Sequence, residues 1–306
     1  PPWPKSSADM PLSPQDALSG VVRSLVDTPL GPIQFRSAGA GPQVTHVLLH
    51  GIGSASASWA YQLGAAVGRH DVRVLAWDAP GYGRSSHLPM AEPHAQDYAE
   101  RLWAWLDALY VTQPVVLAGH SLGALMAASA ARLQPNRVSR LLLLAPARGY
   151  GDAPDTERAR VVQGRLSNLQ QLGPIGMANA RSAAMLSPQA APALQEAVRE
   201  TMAQIDPAGY TQAARLLHER LAQVHLAFVG QEAWRHLPQW VTACRQYEVV
   251  LSTDAPNGVA QGAVLGLVTT GQRTRFEASP PAAAQVGVKL SARLLEVAER
   301  VWGGPR

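Results

Sequence analysis

The sequence predicts an α/β protein built on an open, mostly parallel, doubly wound sheet. Strand candidates alternate with helix candidates through the first half of the chain, and the strands are continuous apolar runs. Strands of this kind are typical of a parallel sheet that helices cover on both faces. The chain has 306 residues, of which 47% are hydrophobic and 16% are charged, so it can bury the core that this fold requires.

The elements of the first half follow from its apolar runs and from the turn residues between them. Residues 1–20 begin with a proline-rich stretch and predict an N-terminal tail. Strands are predicted at 21–28, 32–39, 44–51, 72–81, 114–119 and 138–147, the first two as a hairpin. Helices are predicted near 58–69, over 94–110 and from residue 122 onward. Ligands of such sheets bind at the carboxyl ends of the strands, and we expect the functional residues there.

Residues 149–222 differ from the rest because their pattern is helical throughout. We interpret this stretch as a helical lid inserted into a core of residues 21–148 and 223–306. A lid over the carboxyl ends of the strands would partly line a water-poor pocket with apolar side chains. The candidates for that lining are Met177, Met185, Leu186 and Met202.

Two further strands, at 223–230 and 247–253, are predicted to resume the sheet after the helical stretch. The pattern is weaker beyond them. Residues 262–271 are a candidate strand, and residues 288–302 have a helical period.

The motif GHSLG lies where a predicted strand meets a predicted helix. A nucleophile at this point must project above the sheet from a sharp, strained turn, and Ser121 is placed to do so. Gly119 and Gly123 remove side chains that would collide with the neighbouring strand and helix. The turn also brings the N–H of Leu122 beside Ser121, where an attacked carbonyl would develop negative charge.

A second glycine-rich stretch, HGIGSASASW at 50–59, follows another predicted strand. Its backbone turns through Gly51 and Gly53 at the carboxyl end of that strand. The N–H of Ile52, or alternatively that of Gly53, can therefore point toward the same oxyanion as Leu122.

Together with DAPGYGRSS at 78–86, these two motifs resemble the α/β-hydrolase family. The resemblance is to its lid-bearing branch of esterases, lactonases and carbon–carbon bond hydrolases, and it covers about residues 21–232. It implies Ser121 as the nucleophile, Leu122 and Ile52 as oxyanion-hole donors, and a structural role for Asp78. The serine argues against the branches that use an aspartate nucleophile.

The base that would accept the serine proton is the part of the sequence that departs from this family. The family order is serine, then acid, then histidine, but no histidine follows His236. Glu232 and His236 are four residues apart on a predicted short helix, and can face each other as acid and base. Alternatively, the C-terminal segment lacks the histidine, and Asn257 lies near its expected place. Asparagine cannot accept a proton at neutral pH.

Composition excludes several other classes of protein. The formal charge of +4 comes from scattered residues without a basic stripe, which argues against nucleic acid binding. No apolar run reaches the ~20 residues of a membrane helix. The single Cys244 excludes an intrachain disulfide, and we expect a cytoplasmic protein. A targeting segment removed before Pro1 is the alternative. Neither a metal nor an organic cofactor is predicted. The sequence carries no signal for the oligomeric state.

The sequence therefore predicts a serine hydrolase that acts on a small to medium ester or lactone through an acyl-enzyme at Ser121. Two alternatives stay open. One is hydrolysis of a carbon–carbon bond in a diketone, which uses the same nucleophile. The other is a non-catalytic binding module on a hydrolase fold, which the missing C-terminal histidine favours.

Overall fold

The computed structural model describes residues 13–147, 154–187, 190–218, 226–246, 248–270 and 273–303. These residues form two compact units. The first unit comprises residues 13–141 and 147–218, and the second comprises residues 142–146 and 226–303.

The apolar runs of the first half form strands where the sequence predicts them. They are β1 (Val22–Val26), β2 (Ile33–Ala38), β3 (His46–Leu49), β4 (Val74–Trp77), β5 (Val115–His120) and β6 (Val138–Leu144), the last shared by both units. β1 and β2 pair antiparallel, which confirms the predicted hairpin. β2 is antiparallel to β4, whereas β3 is parallel to both β4 and β5. The strand order in the first unit is therefore β1-β2-β4-β3-β5.

Helices lie between these strands along the chain, as expected for a doubly wound sheet. They are α1 (Pro14–Ala17), α2 (Ala60–Gly64), α3 (Ala95–Ala108) and α4 (Leu122–Leu133). α3 buries residues at helical spacing, and its Trp105 packs on β4, where the ring centroid lies 6.2 Å from that of Trp77. All four residues of β4 are buried, as in a strand covered on both faces.

The region predicted as a lid is helical in the described residues. It contains α5 (Asp155–Arg181), α6 (Pro192–Ala203) and α7 (Pro207–Arg215). α5 is kinked at Gly173, whose φ of 61° is left-handed, and Pro174 follows directly. Below, "helical segment" means residues 154–187 and 190–218.

The last helix of this segment packs closely on the loop 78–92. A β-carbon on Gly209 of α7 would lie 2.0 Å from the carbonyl oxygen of Gly81. The close contact between α7 and the loop therefore requires glycine at both positions. Nearby, His87 Nε2 lies 2.7 Å from Asp206 Oδ1, and the amide of Gln212 donates to the Leu88 carbonyl. These contacts place the helical segment within the first unit. The division into a lid of residues 149–222 and a core of residues 21–148 and 223–306 stays a prediction.

The described part of the predicted N-terminal tail is a short helix rather than extended chain. Ser13 caps α1 by accepting a hydrogen bond from the N–H of Asp16. Ala17 is buried, and a β-carbon on Gly64 of α2 would lie 2.5 Å from its carbonyl oxygen. Packed structure therefore begins before β1. Residues 1–12 lie outside the described residues.

The second unit begins with the end of β6. Its further strands are β7 (Leu226–Val229), β8 (Val250–Thr253), β9 (Leu265–Thr270), β10 (Arg273–Ala278) and β11 (Arg300–Val301). Its helices are α8 (Leu237–Gln246), α9 (Pro280–Gln285) and α10 (Ala292–Glu296). β6, β7, β8 and β9 are parallel, β9 and β10 are antiparallel, and β10 and β11 are parallel.

The helical period of residues 288–302 is realised only in part. Only Ala292–Glu296 is helical, and Arg300 pairs with Glu277 of β10 instead. Trp302 reinforces this pairing, because its indole N–H donates to the Glu277 carboxylate at 2.9 Å. Strand pairing has overridden a helical pattern that was only local. The candidate strand at 262–271 is confirmed as β9.

Candidate active site

The turn between β5 and α4 holds Ser121 in a strained conformation. Its φ of 53° and ψ of −116° fall where side chains other than glycine rarely occur, at a cost of about 1–3 kcal/mol. Ser121 is the N-cap residue directly before α4, yet its side chain makes no hydrogen bond to the start of that helix. The hydroxyl is therefore not engaged as a helix cap.

The two glycines of the motif have a steric cause. A β-carbon on Gly119 would lie 2.3 Å from the carbonyl oxygen of Gly123, on the helix side of the turn. A β-carbon on Gly123 would lie 2.5 Å from the carbonyl oxygen of Leu49, on the neighbouring strand β3. Any side chain at either position would push β3, β5 and α4 apart.

The loop 50–55 passes directly beside Ser121. A β-carbon on Gly51 would lie 3.1 Å from the β-carbon of Ser121 and 3.3 Å from Nδ1 of His120. Within the described residues, no group accepts a hydrogen bond from the N–H of Ile52, Gly53 or Leu122. The sequence predicts Leu122 and Ile52, or Gly53 in place of Ile52, as the oxyanion-hole donors, and none of these N–H groups is already engaged in the described part of the chain.

His50 fixes the start of this loop as a neutral imidazole. Its Nε2 accepts a hydrogen bond from the N–H of Ala79 at 3.0 Å, so Nδ1 carries the proton and donates to the carbonyl of Gly51 at 2.8 Å. Burial lowers the pKa of His50, which favours the same neutral form. His50 is therefore a structural bridge between the loops 50–55 and 78–92. Burial also lowers the pKa of His120, beside Ser121 in the motif.

Asp78 is buried and has the structural role that the family resemblance implies. Its carboxylate accepts hydrogen bonds from the N–H of Ser56, at 2.7 Å, and from the amide of Gln34. Its own carbonyl accepts from Ser85. Asp78 thereby ties the end of the loop 50–55 to β2 and β4.

Tyr82 binds the middle of the loop 50–55. Its hydroxyl donates to the carbonyl of Ile52 at 2.8 Å, and its ring meets the edge of the His50 ring with centroids 4.8 Å apart. Because the carbonyl of Ile52 and the N–H of Gly53 belong to one planar peptide group, this bond limits the directions in which the Gly53 N–H can point. The sequence analysis missed this residue, although Tyr82 lies within the DAPGYG motif.

Replacing Tyr82 with phenylalanine is expected to lower the kcat for ester hydrolysis by about 10-fold while leaving KM within about twofold. The change frees the Ile52 carbonyl without altering the space that the ring fills. Steady-state kinetics on a p-nitrophenyl ester measure the effect.

The matched control is Tyr98→Phe. Tyr98 is also buried, but its hydroxyl has no partner within the described residues. Equal losses of activity in the two variants would contradict a positioning role for Tyr82.

Two methionines of the helical segment contact the loop 50–55. A β-carbon on Gly53 would lie 3.0 Å from Cε of Met202 and 3.5 Å from Cε of Met185. Met202 is buried, whereas Met185 is 44% exposed. Of the other predicted lining residues, Met177 on α5 is buried and Leu186 is partly buried. The helical segment thus places apolar, flexible side chains against one of the candidate oxyanion donors.

Glu232 and His236 belong to the second unit, where residues 231–236 form a 3-10 helix. Residues three apart eclipse each other in a 3-10 helix, so positions four apart lie about a third of a turn from one another. The backbone of residues 231–236 therefore departs from the α-helical spacing on which the Glu232–His236 pair was predicted, and the pairing itself stays a prediction. The side chain of His236 is exposed, and it is the last residue of that helix.

Asn257 lies in the loop that follows β8. It is exposed and has a left-handed φ of 54°, and its carbonyl accepts a hydrogen bond from the N–H of Gln261. Asparagine tolerates this conformation better than most residues, which gives Asn257 a local structural reason to be there.

The family model described as the alpha/beta hydrolase family matches residues 47–300 of the chain. The chain belongs to the alpha/beta hydrolase family. The match includes the loop 50–55, the GHSLG motif and most of the second unit. Within the described residues of this hydrolase-family chain, no helix has the length and apolarity to cross a membrane. The described part of the chain also brings no three His, Cys, Asp or Glu side chains together as a metal site.

Relatives of this hydrolase-family chain differ in activity. It is 37% identical over 112 residues to 1-acylglycerol-3-phosphate O-acyltransferase ABHD5 of Sus scrofa, a match of 36% of the chain but only 31% of that protein. Its structure resembles a thermophilic esterase from Thermogutta terrifontis, with a TM-score of 0.53, 25% identity, and coverage of 69% and 80% of the two chains. It also shares its fold with the enol-lactonase of Burkholderia xenovorans LB400, with a TM-score of 0.56, 19% identity, and coverage of 68% and 81%.

Proposed function

We propose that this protein hydrolyses small to medium carboxylic esters or lactones through an acyl-enzyme on Ser121. The observation that carries the proposal is the strained backbone of Ser121, which lies beside Gly51. A chain retains such strain where the surrounding structure imposes it, and strained residues of this kind cluster at catalytic sites. The resemblance to an esterase at 25% identity supports an ester as the substrate.

In this proposal, Ser121 Oγ attacks the carbonyl carbon of the ester. The N–H groups of Leu122 and of Ile52, or of Gly53 in place of Ile52, stabilise the oxyanion of the tetrahedral intermediate. The bond to the alcohol oxygen then breaks, and the alcohol leaves with the proton that Ser121 gave up. Water hydrolyses the acyl-serine and restores the hydroxyl.

The helical segment serves as the lid of this site. Its contact with Gly53 through Met185 and Met202 supports that assignment, because apolar cover excludes water and strengthens the oxyanion hydrogen bonds. The predicted cytoplasmic location belongs to the proposal too.

In this proposal, water or hydroxide takes the proton of Ser121. His236 with Glu232 is the pair that the chain order offers, but their 3-10 helix supplies no i, i+4 alignment. We therefore favour a site in which an oxyanion hole works without a histidine base. Such sites keep a rate enhancement of about 10³–10⁴ over water.

Hydrolysis of a panel of p-nitrophenyl esters and simple lactones tests this function. The expected result is a rate enhancement of about 10³–10⁴ over buffer at neutral pH for at least one member of the panel. If every ester and lactone is hydrolysed only at the buffer rate, the proposal is wrong. Turnover of a vinylogous diketone alone would favour carbon–carbon bond hydrolysis instead.

A further inference from the structure

The methionines of the described residues differ sharply in their exposure to solvent. Met185 is 44% exposed and Met90 is 37% exposed, whereas the other described methionines, Met126, Met177 and Met202, are each 2% exposed. A peroxide must reach the sulfur in order to oxidise it, so the exposed thioethers react first. Exposure therefore directs oxidation to Met90 and Met185.

The sulfur of Met185 lies against the loop 50–55. A β-carbon on Gly53 would lie 3.7 Å from Sδ of Met185, 3.5 Å from its Cε and 3.0 Å from Cε of Met202. Gly53 is a candidate oxyanion donor, and its N–H is not engaged within the described residues. The side chain of Met185 therefore reaches solvent while its sulfur contacts a loop of the candidate active site.

The backbone around Met185 fixes the place from which this side chain extends. Met185 ends the 3-10 helix Ala183–Met185, and its N–H donates to the carbonyl of Ser182 at 3.1 Å. Ser182 is buried and directly follows α5. Because this backbone is anchored, a larger group on the sulfur has to be accommodated by the Met185 side chain itself, by Met202 or by the loop 50–55.

A sulfoxide does not suit the contact with Gly53. It adds a polar, strongly accepting oxygen to a sulfur that packs on the loop beside the Met202 methyl group. Keeping that oxygen in the contact would deprive it of water, which is unfavourable. Since Met185 is partly exposed, the oxygen reaches water when the side chain turns away from Gly53. That turn opens the loop 50–55 to water and weakens the hydrogen bonds that it can give to an oxyanion.

We propose that Met185 is a modification site, at which a peroxide oxidises the thioether to the sulfoxide, displaces the side chain from Gly53 and slows hydrolysis. The inference rests on the proposed hydrolase function and goes beyond it. A lone pair of Sδ attacks one oxygen of hydrogen peroxide, the O–O bond breaks, and the other oxygen leaves as water with both protons. The sulfur loses two electrons and the peroxide gains them. Methionine sulfoxide reductases restore the thioether with a thiol as the reductant.

Timed treatment with hydrogen peroxide tests the inference, with peptide mapping by mass spectrometry and an assay on p-nitrophenyl butyrate at each time. In the native protein, kcat/KM is expected to fall by about 10-fold in step with the Met185 sulfoxide, a partial loss beside the ~10²–10³-fold cost of removing an oxyanion-hole donor. A methionine sulfoxide reductase should restore the rate. Met185→Leu keeps an apolar side chain without sulfur, and should lose less than about twofold relative to its own untreated sample.

The control is Met90→Leu, which removes the other exposed thioether. Met90 lies in the loop 78–92, where its carbonyl accepts a hydrogen bond from the amide of Gln212. On peroxide treatment, this variant should lose the same fraction of its activity as the native protein. Equal fractional losses in the native protein and in Met185→Leu, or full conversion of Met185 without loss of rate, would overturn the inference while leaving the hydrolase function intact.

Limited proteolysis tests the displacement of Met185 without relying on ester hydrolysis. Peroxide should speed cleavage within the helical segment by about threefold in the native protein and in Met90→Leu, because a contact of that segment is lost. The cleavage rate of Met185→Leu should not change. Acceleration confined to the proteins that retain Met185 supports the displacement even if no ester is hydrolysed. Unchanged cleavage after full conversion of Met185 would overturn it, whether or not the hydrolase function holds.

Discussion

Replacing Ser121 with alanine is expected to abolish covalent labelling of the protein by a fluorophosphonate. The reagent phosphonylates a serine only where its oxygen is exposed to the phosphorus and the developing negative charge finds hydrogen-bond donors. We expect Ser121 to meet both conditions, since it is partly exposed, its hydroxyl does not cap α4, and the N–H groups of Leu122 and Ile52 are unoccupied within the described residues. Mass spectrometry of the intact and digested protein measures the adduct.

Ser54→Ala is the matched control for this experiment. Ser54 lies in the loop 50–55 and is also partly buried, but its backbone is unstrained and its hydroxyl bonds to Ser58. Labelling should persist in this variant and map to the peptide that contains Ser121. An adduct of equal yield in Ser121→Ala would rule out Ser121 as the nucleophile.

The pH dependence of labelling identifies the base. Without a histidine base, the rate should keep rising between about pH 7 and pH 9, because only the growing serine alkoxide fraction drives the attack. His236→Ala should change that rate by less than about twofold. A rate that levels off near pH 7 and is lost in His236→Ala would instead identify His236 as the base.

The parts of the site that the sequence predicted well are those determined by neighbouring residues. Gly119 and Gly123 were predictable because the strand–turn–helix in which they lie is formed by neighbouring residues. The same holds for Gly51, which follows its strand directly. The hairpin of β1 and β2 was equally predictable from the Pro29-Leu30-Gly31 turn between two apolar runs.

What the sequence could not predict depends on contacts between distant segments. Tyr82 acts through Ile52, thirty residues away along the chain, and nothing in the motif specifies that bond. The 3-10 geometry of residues 231–236 is likewise invisible in the pattern, since α- and 3-10 helices differ in spacing by less than one residue per turn.

Replacing Gly209 with alanine is expected to destabilise the protein by about 3 kcal/mol. The new β-carbon would lie 2.0 Å from the carbonyl oxygen of Gly81 and 2.5 Å from its carbonyl carbon. Both are backbone atoms, so α7 must move away from the loop 78–92. That movement would also strain the ion pair between Asp206 and His87 and the hydrogen bond from Gln212 to Leu88.

Gly164→Ala provides the control, because a β-carbon there would meet nothing within 4 Å and the position is exposed in the middle of α5. Alanine loses less backbone entropy than glycine in a helix, so this variant should be more stable than the native protein by about 0.5–1 kcal/mol. Urea unfolding measures both changes. Limited proteolysis of Gly209→Ala should also cut the helical segment faster than in the native protein, since α7 anchors it. If the two alanine variants unfold at the same urea concentration, the Gly81–Gly209 contact does not hold the helical segment in place.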